Sequence, residues 1–147
     1  MASFVYNEAK RMLGAAELNF STPADIRLRL VMTNTTCDTQ NDAMLDLADF
    51  TTIDVMDGTN YVDKALGTDA FATDDTNDRA EYDAADVTWT ALGAGTRSMD
   101  GCLVYLYVDG TDANDKPIAF IDFSPDVVAD GSDFTMTWDA EGIFHIS

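Results

Sequence analysis

The chain has 147 residues and a formal net charge of −19, from 27 Asp and Glu against eight Lys and Arg. Its length and its hydrophobic content of 46% fit one folded domain over residues 1–147 and argue against disorder. The negative charge repels nucleic acid and anionic membranes, and no apolar stretch approaches the roughly 20 residues of a membrane span. We therefore expect neither nucleic acid nor a membrane as a partner.

The N-terminal part predicts a short helix and then a strand. Over residues 4–17 apolar side chains recur at helical spacing, and Ser3 stands where an N-cap residue belongs. Residues 25–32 instead alternate between apolar and polar side chains, with Arg27 and Arg29 on the polar face. This alternation is typical of a half-buried strand whose two arginines face solvent.

The middle and C-terminal parts predict a series of short strands. Before them, residues 41–50 are expected to form a short helix or turn, with these side chains facing inward: Met44, Leu45, Ala48 and Phe50. The predicted strands cover residues 61–66, 70–73, 79–83, 86–92, 102–108, 117–123, 133–138 and 143–146. The last two are expected to pair as a hairpin.

The run over residues 102–108 is the most apolar of these strands. It holds seven apolar or aromatic residues without a charge and ends at a turn signal, Asp109-Gly110. A strand of this kind is covered on both faces, so we place it at the centre of the fold. The predicted fold class is mainly β, a β-sandwich or jelly-roll-like structure over residues 25–147, with a short N-terminal helix.

Residues with catalytic or metal-binding potential are few and scattered. His145 is the single histidine, and Cys37 and Cys102 lie far apart, so neither a nucleophilic pair nor a zinc site is predicted. Acidic runs at 74–78 and 109–115 have oxygen donors of the kind calcium prefers, but neither matches the EF-hand loop. We expect no cofactor, no metal and no enzymatic activity.

The charge is unevenly distributed along the chain. Residues 1–30 carry four basic and three acidic side chains, whereas residues 31–147 carry four basic and 24 acidic ones. One interpretation is an N-terminal docking region, and the other is a helix that exposes its Lys and Arg to solvent. The candidates for contact with an acidic partner are Lys10, Arg11, Arg27 and Arg29.

Three segments of the chain resemble a known class of viral protein. They are Ala-Ala-Asp-Val-Thr-Trp-Thr at 84–90, Pro-Ile-Ala-Phe-Ile-Asp at 117–122, and Thr-Met-Thr-Trp-Asp at 135–139 followed by Gly-Ile-Phe at 142–144. Together with the N-terminal helix and the strand at 26–32, they are similar to small virion-structural proteins of tailed bacteriophages, some of which are capsid cement or decoration proteins.

The resemblance implies a β-sandwich or jelly-roll-like subunit that decorates the capsid exterior in many copies. Its implied partner is the major capsid protein, and the implied assembly is a homo-oligomer, a dimer or trimer, without catalytic residues. Assembly in the host cytoplasm agrees with an N-terminus that lacks signal-peptide features and with two cysteines that we expect to be reduced.

Two other functions fit the sequence. One is a carbohydrate-binding β-sandwich that uses exposed aromatic rings beside acidic loops, with the candidates Tyr61, Tyr82, Tyr105 and Tyr107. The other is a neck or tail component of the virion. Burial of the four tyrosines would exclude carbohydrate binding.

Overall fold

The computed structural model of this chain describes residues 3–18, 20 and 25–146. Within them lie one α-helix, α1 (Asn7–Gly14), and ten strands: β1 (Phe4–Val5), β2 (Ile26–Met32), β3 (Lys64–Ala65), β4 (Ala70–Asp74), β5 (Arg79–Asp83), β6 (Val87–Trp89), β7 (Met99–Leu106), β8 (Lys116–Val127), β9 (Phe134–Met136) and β10 (Phe144–Ile146). The strands form three antiparallel sheets, with orders β1-β8-β7-β2-β3, β10-β5-β4 and β6-β9. The prediction of a mainly β fold with a short N-terminal helix is confirmed, and the sandwich or jelly-roll arrangement stays a prediction.

β7 lies at the centre of the five-stranded sheet, as its apolar sequence predicts. Cys102 and Val104 pack into a large core on one face, and Leu103 and Tyr105 pack into a smaller core on the other. The alternation of side chains along a strand produces this division. Both faces are therefore dry, which explains the absence of charge in the run.

The bounds of β7 differ from the predicted 102–108. The strand begins three residues earlier, at Met99, and ends at Leu106. Beyond it the backbone N–H of Tyr107 donates to the carbonyl of Asp25 at 2.6 Å, and that of Val108 donates to the Asp115 carboxylate. These bonds replace ladder pairing, so the chain leaves the sheet although its side chains still favour a strand.

All three sheets pack on the large core. The five-stranded sheet contributes one face of β2 and β7, α1 contributes Ala9 and Met12, and the two smaller sheets contribute Tyr82, Trp89, Met136 and Phe144. At one end four aromatic rings pack together: Phe20, Phe71, Tyr82 and Phe144. The apolar face predicted for β2 is therefore a core face.

The predicted helix over residues 4–17 is shorter in the structure. Phe4 and Val5 form β1, which pairs with β8, and the helix begins at Asn7. Ser3 caps no helix, because its hydroxyl accepts a hydrogen bond from the Asp122 backbone at 3.0 Å. The first residues of the predicted helix therefore pair with the edge of the sheet instead, because their backbone N–H and C=O groups find hydrogen-bond partners on β8.

The predicted C-terminal hairpin is wrong. β9 pairs with β6, and β10 pairs with β5 in another sheet. The chain turns between them at residues 139–142, and the Ile143 backbone N–H then donates to the Tyr82 carbonyl at 2.7 Å. A local turn is therefore present, but the two strands that it joins find separate partners.

Three further segments are less regular than predicted. Of residues 61–66 only Lys64–Ala65 is a strand, and of residues 86–92 only Val87–Trp89. Residues 41–50 contain one 3₁₀ turn, Leu47–Asp49. There Leu47 and Phe50 are buried, whereas Leu45 and Ala48, expected to face inward, are exposed.

Candidate functional site

A groove separates α1 from the last strand of the chain. It consists of a cavity of about 610 Å³ and an adjoining cavity of about 370 Å³. The two cavities share Val5, Lys10, Phe144 and His145. Leu13 and Ile146 also line the larger one, and Ile146 is 44% exposed. We call the two cavities together the N-terminal groove.

Three elements with open edges or faces form the N-terminal groove. β1 is an outer strand of the five-stranded sheet, β10 is an outer strand of the three-stranded sheet, and α1 packs on β8. Ala9 and Met12 of α1 point into the core, whereas Lys10 is exposed. The helical period therefore places the Lys10 side chain at the wall of the groove.

The N-terminal groove differs in charge from the rest of the molecule. None of its described lining residues is acidic, although the chain has 27 Asp and Glu. Lys10 has no ion-pair partner within the described ranges, and His145 beside it is exposed. An apolar groove with one unpaired ammonium group suits an apolar partner that carries a carboxylate.

Arg27 forms a second unpaired cation, on β2. Its guanidinium carbon lies 3.4 Å from the centre of the Tyr107 ring, and its Nε is buried without a hydrogen-bond partner. Arg27 is the one arginine that makes no salt bridge with a described residue. Stacking on the ring holds the guanidinium in place and leaves its charge uncompensated by a carboxylate.

Arg29, two residues along the same strand, is enclosed by acidic side chains. Its Nε lies 2.9 Å from Asp63 Oδ2 and its Nη1 lies 2.9 Å from Asp112 Oδ1. The side chain is only 12% exposed, so the prediction that both strand arginines face solvent is wrong for Arg29. The physical reason is that Asp63 and Asp112 come from distant loops that cover this part of the strand.

The carboxylate of Asp63 joins Arg29 to two tyrosines. It accepts hydrogen bonds from the Tyr61 hydroxyl at 2.7 Å and the Tyr105 hydroxyl at 2.8 Å. Burial raises the pKa of both phenols, and the nearby Asp63 charge raises each further. This network is structural, because each of its hydroxyls and its carboxylate already has a partner.

Arg11 also has partners within the chain. It makes ion pairs with Glu8 at 2.8 Å and Glu17 at 2.7 Å. Of the four predicted docking residues, Arg11 and Arg29 therefore have carboxylate partners, whereas Lys10 and Arg27 have none among the described residues. The structure brings Lys10 into the groove and holds Arg27 on the sheet.

The tyrosines of the carbohydrate-binding hypothesis do not form an exposed platform. Tyr82 and Tyr105 are buried. Tyr61 accepts a hydrogen bond from the Leu30 backbone, and the ring of Tyr107 lies under Arg27. A sugar ring needs an open aromatic face, which none of the four provides in this conformation.

The residues considered for catalysis or metal binding stay apart. His145 is exposed on β10, and no group of three or more His, Cys, Asp or Glu in the described part of the chain is placed to hold a metal ion. Cys37 and Cys102 are unbridged and buried. Burial raises the pKa of the Cys37 thiol to about 12 and also raises that of Cys102, so neither forms a ready nucleophile.

The acidic loops use their carboxylates in turns. Asp74 accepts hydrogen bonds from the side chain of Asn77 and the backbone of Thr76, and Asp109 accepts them from the Thr111 backbone and the Asn114 side chain. These bonds hold the pKa of both carboxyls below its usual range. The composition of the loops therefore has a local structural cause.

Two exposed apolar residues were not singled out from the sequence. Ile146 lies at the groove, and Val128 is the most exposed large apolar side chain among the described residues, at 71%. The signal for Val128 is a pair of valines between Asp126 and Asp130, in a stretch outside the predicted strands. Val127 packs against the large core, whereas Val128 has no such role.

Comparison with known proteins identifies no relative, so a function has to be argued from the surfaces described above. No protein-family model matches the chain, and no curated protein and no solved structure matches it significantly. Across residues 3–18, 20 and 25–146, no helix has the length and apolar character needed to cross a membrane.

Proposed function

We propose that this chain is a capsid decoration (cement) protein of a tailed bacteriophage, which binds the outer surface of the major capsid protein shell and stabilises it without catalysis. The observation that carries the proposal is Arg27, a guanidinium held on Tyr107 without a carboxylate partner among the described residues. In a chain with 27 acidic side chains, that arrangement is suited to an acidic group on another protein. The resemblance to virion-structural proteins supplies the partner.

Arg27 is suited to recognition because it is ordered before binding. The ring of Tyr107 restricts its rotamers, so less side-chain entropy is lost when a carboxylate binds. Val108 follows Tyr107 and is exposed. One apolar and one cationic group are therefore available for a contact.

The proposed stabilisation is a linkage effect. A protein that binds the assembled shell and not its dissociated subunits shifts the equilibrium toward the shell. The stabilisation grows with the logarithm of the ratio between the free concentration of this protein and its dissociation constant for the shell. The protein then belongs to the capsid exterior of the virion and is assembled in the host cytoplasm.

The test is cosedimentation of the purified protein with empty shells of its own virus. Arg27→Glu should weaken shell binding at least roughly tenfold, since a stacked arginine becomes a repelling carboxylate. The control is Lys116→Glu, which makes the same charge change on β8 and should leave binding nearly unchanged. Urea unfolding of each variant checks that the fold is intact.

Equal binding of Arg27→Glu and the unchanged protein would refute the role of Arg27. Failure of the unchanged protein to bind shells at any concentration would refute decoration itself. Binding to purified necks or tails of the same virus, with no binding to shells, would instead assign the protein to that part of the virion.

A further inference from the structure

Residues 126–130 cover the end of β8 and the loop after it, and they include both apolar and acidic side chains. Val128 at its centre is 71% exposed. Asp126 and Asp130 flank it, and both are exposed. Asp126 makes no hydrogen bond or ion pair with any described residue, whereas Asp130 accepts two hydrogen bonds from Ser132. We call residues 126–130 the Val128 segment.

Asp126 lies among like charges in the monomer. The acidic side chains near Asp100 are Asp38, Asp122 and Asp126, and together with burial they raise the pKa of Asp100. A cation brought to Asp126 from another molecule would relieve part of this repulsion. The monomer itself offers Asp126 no such cation within the described ranges.

The N-terminal groove has the complementary properties. It is lined by Leu13, Phe144 and Ile146, and none of its described lining residues is acidic. It also holds the ammonium group of Lys10, which pairs with no described carboxylate. A valine flanked by a free carboxylate therefore matches it in polarity and in charge. The Val128 segment of one molecule is therefore complementary to the N-terminal groove of another.

The groove and the Val128 segment also border one common depression. The smaller cavity of the groove shares Ser3, Ile121 and Ile143 with a third depression, of about 460 Å³. Pro125 and Val127 line that depression, and Val127 belongs to the Val128 segment. When the two halves of a contact border one depression, a two-fold axis can satisfy both at once, as in an isologous dimer.

We infer that two copies of this chain form a two-fold dimer in which each inserts Val128 into the N-terminal groove of the other and pairs Asp126 with the other's Lys10. Each copy then covers its most exposed valine and the exposed Ile146. Both unpaired charges gain a partner at the same time. This contact uses a surface other than the one proposed for shell binding, so the two proposals can fail independently.

The first test is the native mass of the whole chain over about a hundredfold range of concentration, since self-association follows mass action. The unchanged protein should be a dimer at the upper end of the range. Val128→Asp and Lys10→Glu should each weaken the dimer at least roughly tenfold, because each removes a central contact of the interface. All the substituted side chains are exposed, so the fold should survive.

Two matched control variants test whether a change in dimerisation comes from the proposed contact or only from a change in the charge and polarity of the surface. Val108→Asp changes an exposed valine outside the groove, and Lys116→Glu changes a lysine outside it. Both should leave the dimer intact. The exchanged pair Lys10→Asp with Asp126→Lys should restore most of the dimer that each single change loses.

A second measurement identifies the contact itself. A carbodiimide links a lysine amine to a carboxyl through an amide bond with loss of water, so a Lys10–Asp126 link can be detected by mass spectrometry. Mixing isotopically labelled and unlabelled chains shows whether the link joins two copies. A monomer at every concentration, a dimer that Val128→Asp and Lys10→Glu leave unchanged, or the absence of a mixed Lys10–Asp126 link would overturn the inference.

Discussion

Arg27 and Arg29 have the same residue type, strand and sheet face, yet their surroundings give them different roles. Arg29 is surrounded by Asp63, Asp112 and the ring of Tyr105, whose centre lies 5.1 Å from its guanidinium carbon. Arg27 stacks on Tyr107 and meets no carboxylate among the described residues. Arg29 therefore contributes to stability, and Arg27 is the one available for recognition.

Replacing these arginines should separate the two roles. Arg29→Met should lower the free energy of unfolding by about 2–4 kcal/mol, because it leaves the partly buried Asp63 without its cation. The estimate is below that for a fully buried pair, because Asp112 is 44% exposed and screened by water. Arg27→Met should cost less than about 1 kcal/mol, the value of one partly exposed cation–π contact.

The measurement is urea unfolding of both variants beside the unchanged protein, with the m values compared to check that the transition stays two-state. A similar loss of stability in the two variants would contradict the assignment of Arg29 to the structure and Arg27 to the surface.

At the scale of single elements, the pairing of β10 with β5 depends on the turn at residues 139–142. Gly142 precedes it with a φ of +82°, a conformation that glycine adopts at little cost. A Cβ at Gly142 would lie 2.6 Å from the Tyr82 carbonyl oxygen, which is the acceptor for the Ile143 backbone. The close approach to β5 at this turn therefore requires glycine.

Gly142→Ala should weaken the attachment of β10 to β5. We expect a loss of about 2–4 kcal/mol, from backbone strain together with the contact to Tyr82. Gly131→Ala is the matched control, because Gly131 has a φ of +93° but open space around its Cβ position. It should cost only about 1 kcal/mol, for the backbone strain alone.

Thermal unfolding and amide hydrogen exchange provide the measurement. Faster exchange confined to residues 143–146 in Gly142→Ala, with normal exchange in Gly131→Ala, would agree with local detachment of β10. The prediction fails if both substitutions have the same effect on stability.

At the scale of the whole molecule, buried phenols and thiols make stability depend on alkaline pH. Burial is the largest cause of a raised pKa at four tyrosines and two cysteines: Tyr6, Tyr61, Tyr82, Tyr105, Cys37 and Cys102. In the unfolded chain thiols ionise near about pH 8.5 and phenols near about pH 10. Above those values the unfolded state binds fewer protons than the folded state.

The free energy of unfolding should therefore be level between about pH 6 and 8 and fall as the pH rises above about 8.5, more steeply beyond about 10. Urea midpoints across this range are the measurement. Cys37→Ala with Cys102→Ala should remove the part of the decline between about pH 8.5 and 10 and leave the steeper part. A flat profile up to pH 11 would contradict the burial of these groups.

β2 and β7 were the most predictable strands of the fold. In β2 the alternation of Ile26, Leu28 and Leu30 with arginines identifies the core face, and the uncharged run in β7 identifies a strand buried on both sides. These patterns are local consequences of the two-residue period of a strand. Strand ends and pairing partners were less predictable, because they depend on hydrogen bonds to distant groups.

By itself, the sequence determined the mainly β class, the short helix, the core faces of β2 and β7, and an N-terminal part that carries little of the negative charge. Only the tertiary structure decided that Arg29 is enclosed while Arg27 meets no carboxylate of a described residue. It also decided that α1, β1 and β10 form a groove whose described lining holds no acidic residue. The physical reason is distance along the chain. Periodicity is set by neighbouring residues, whereas the ion pairs of Arg29 join residues more than 30 positions apart, and their formation depends on the free energy of the whole fold.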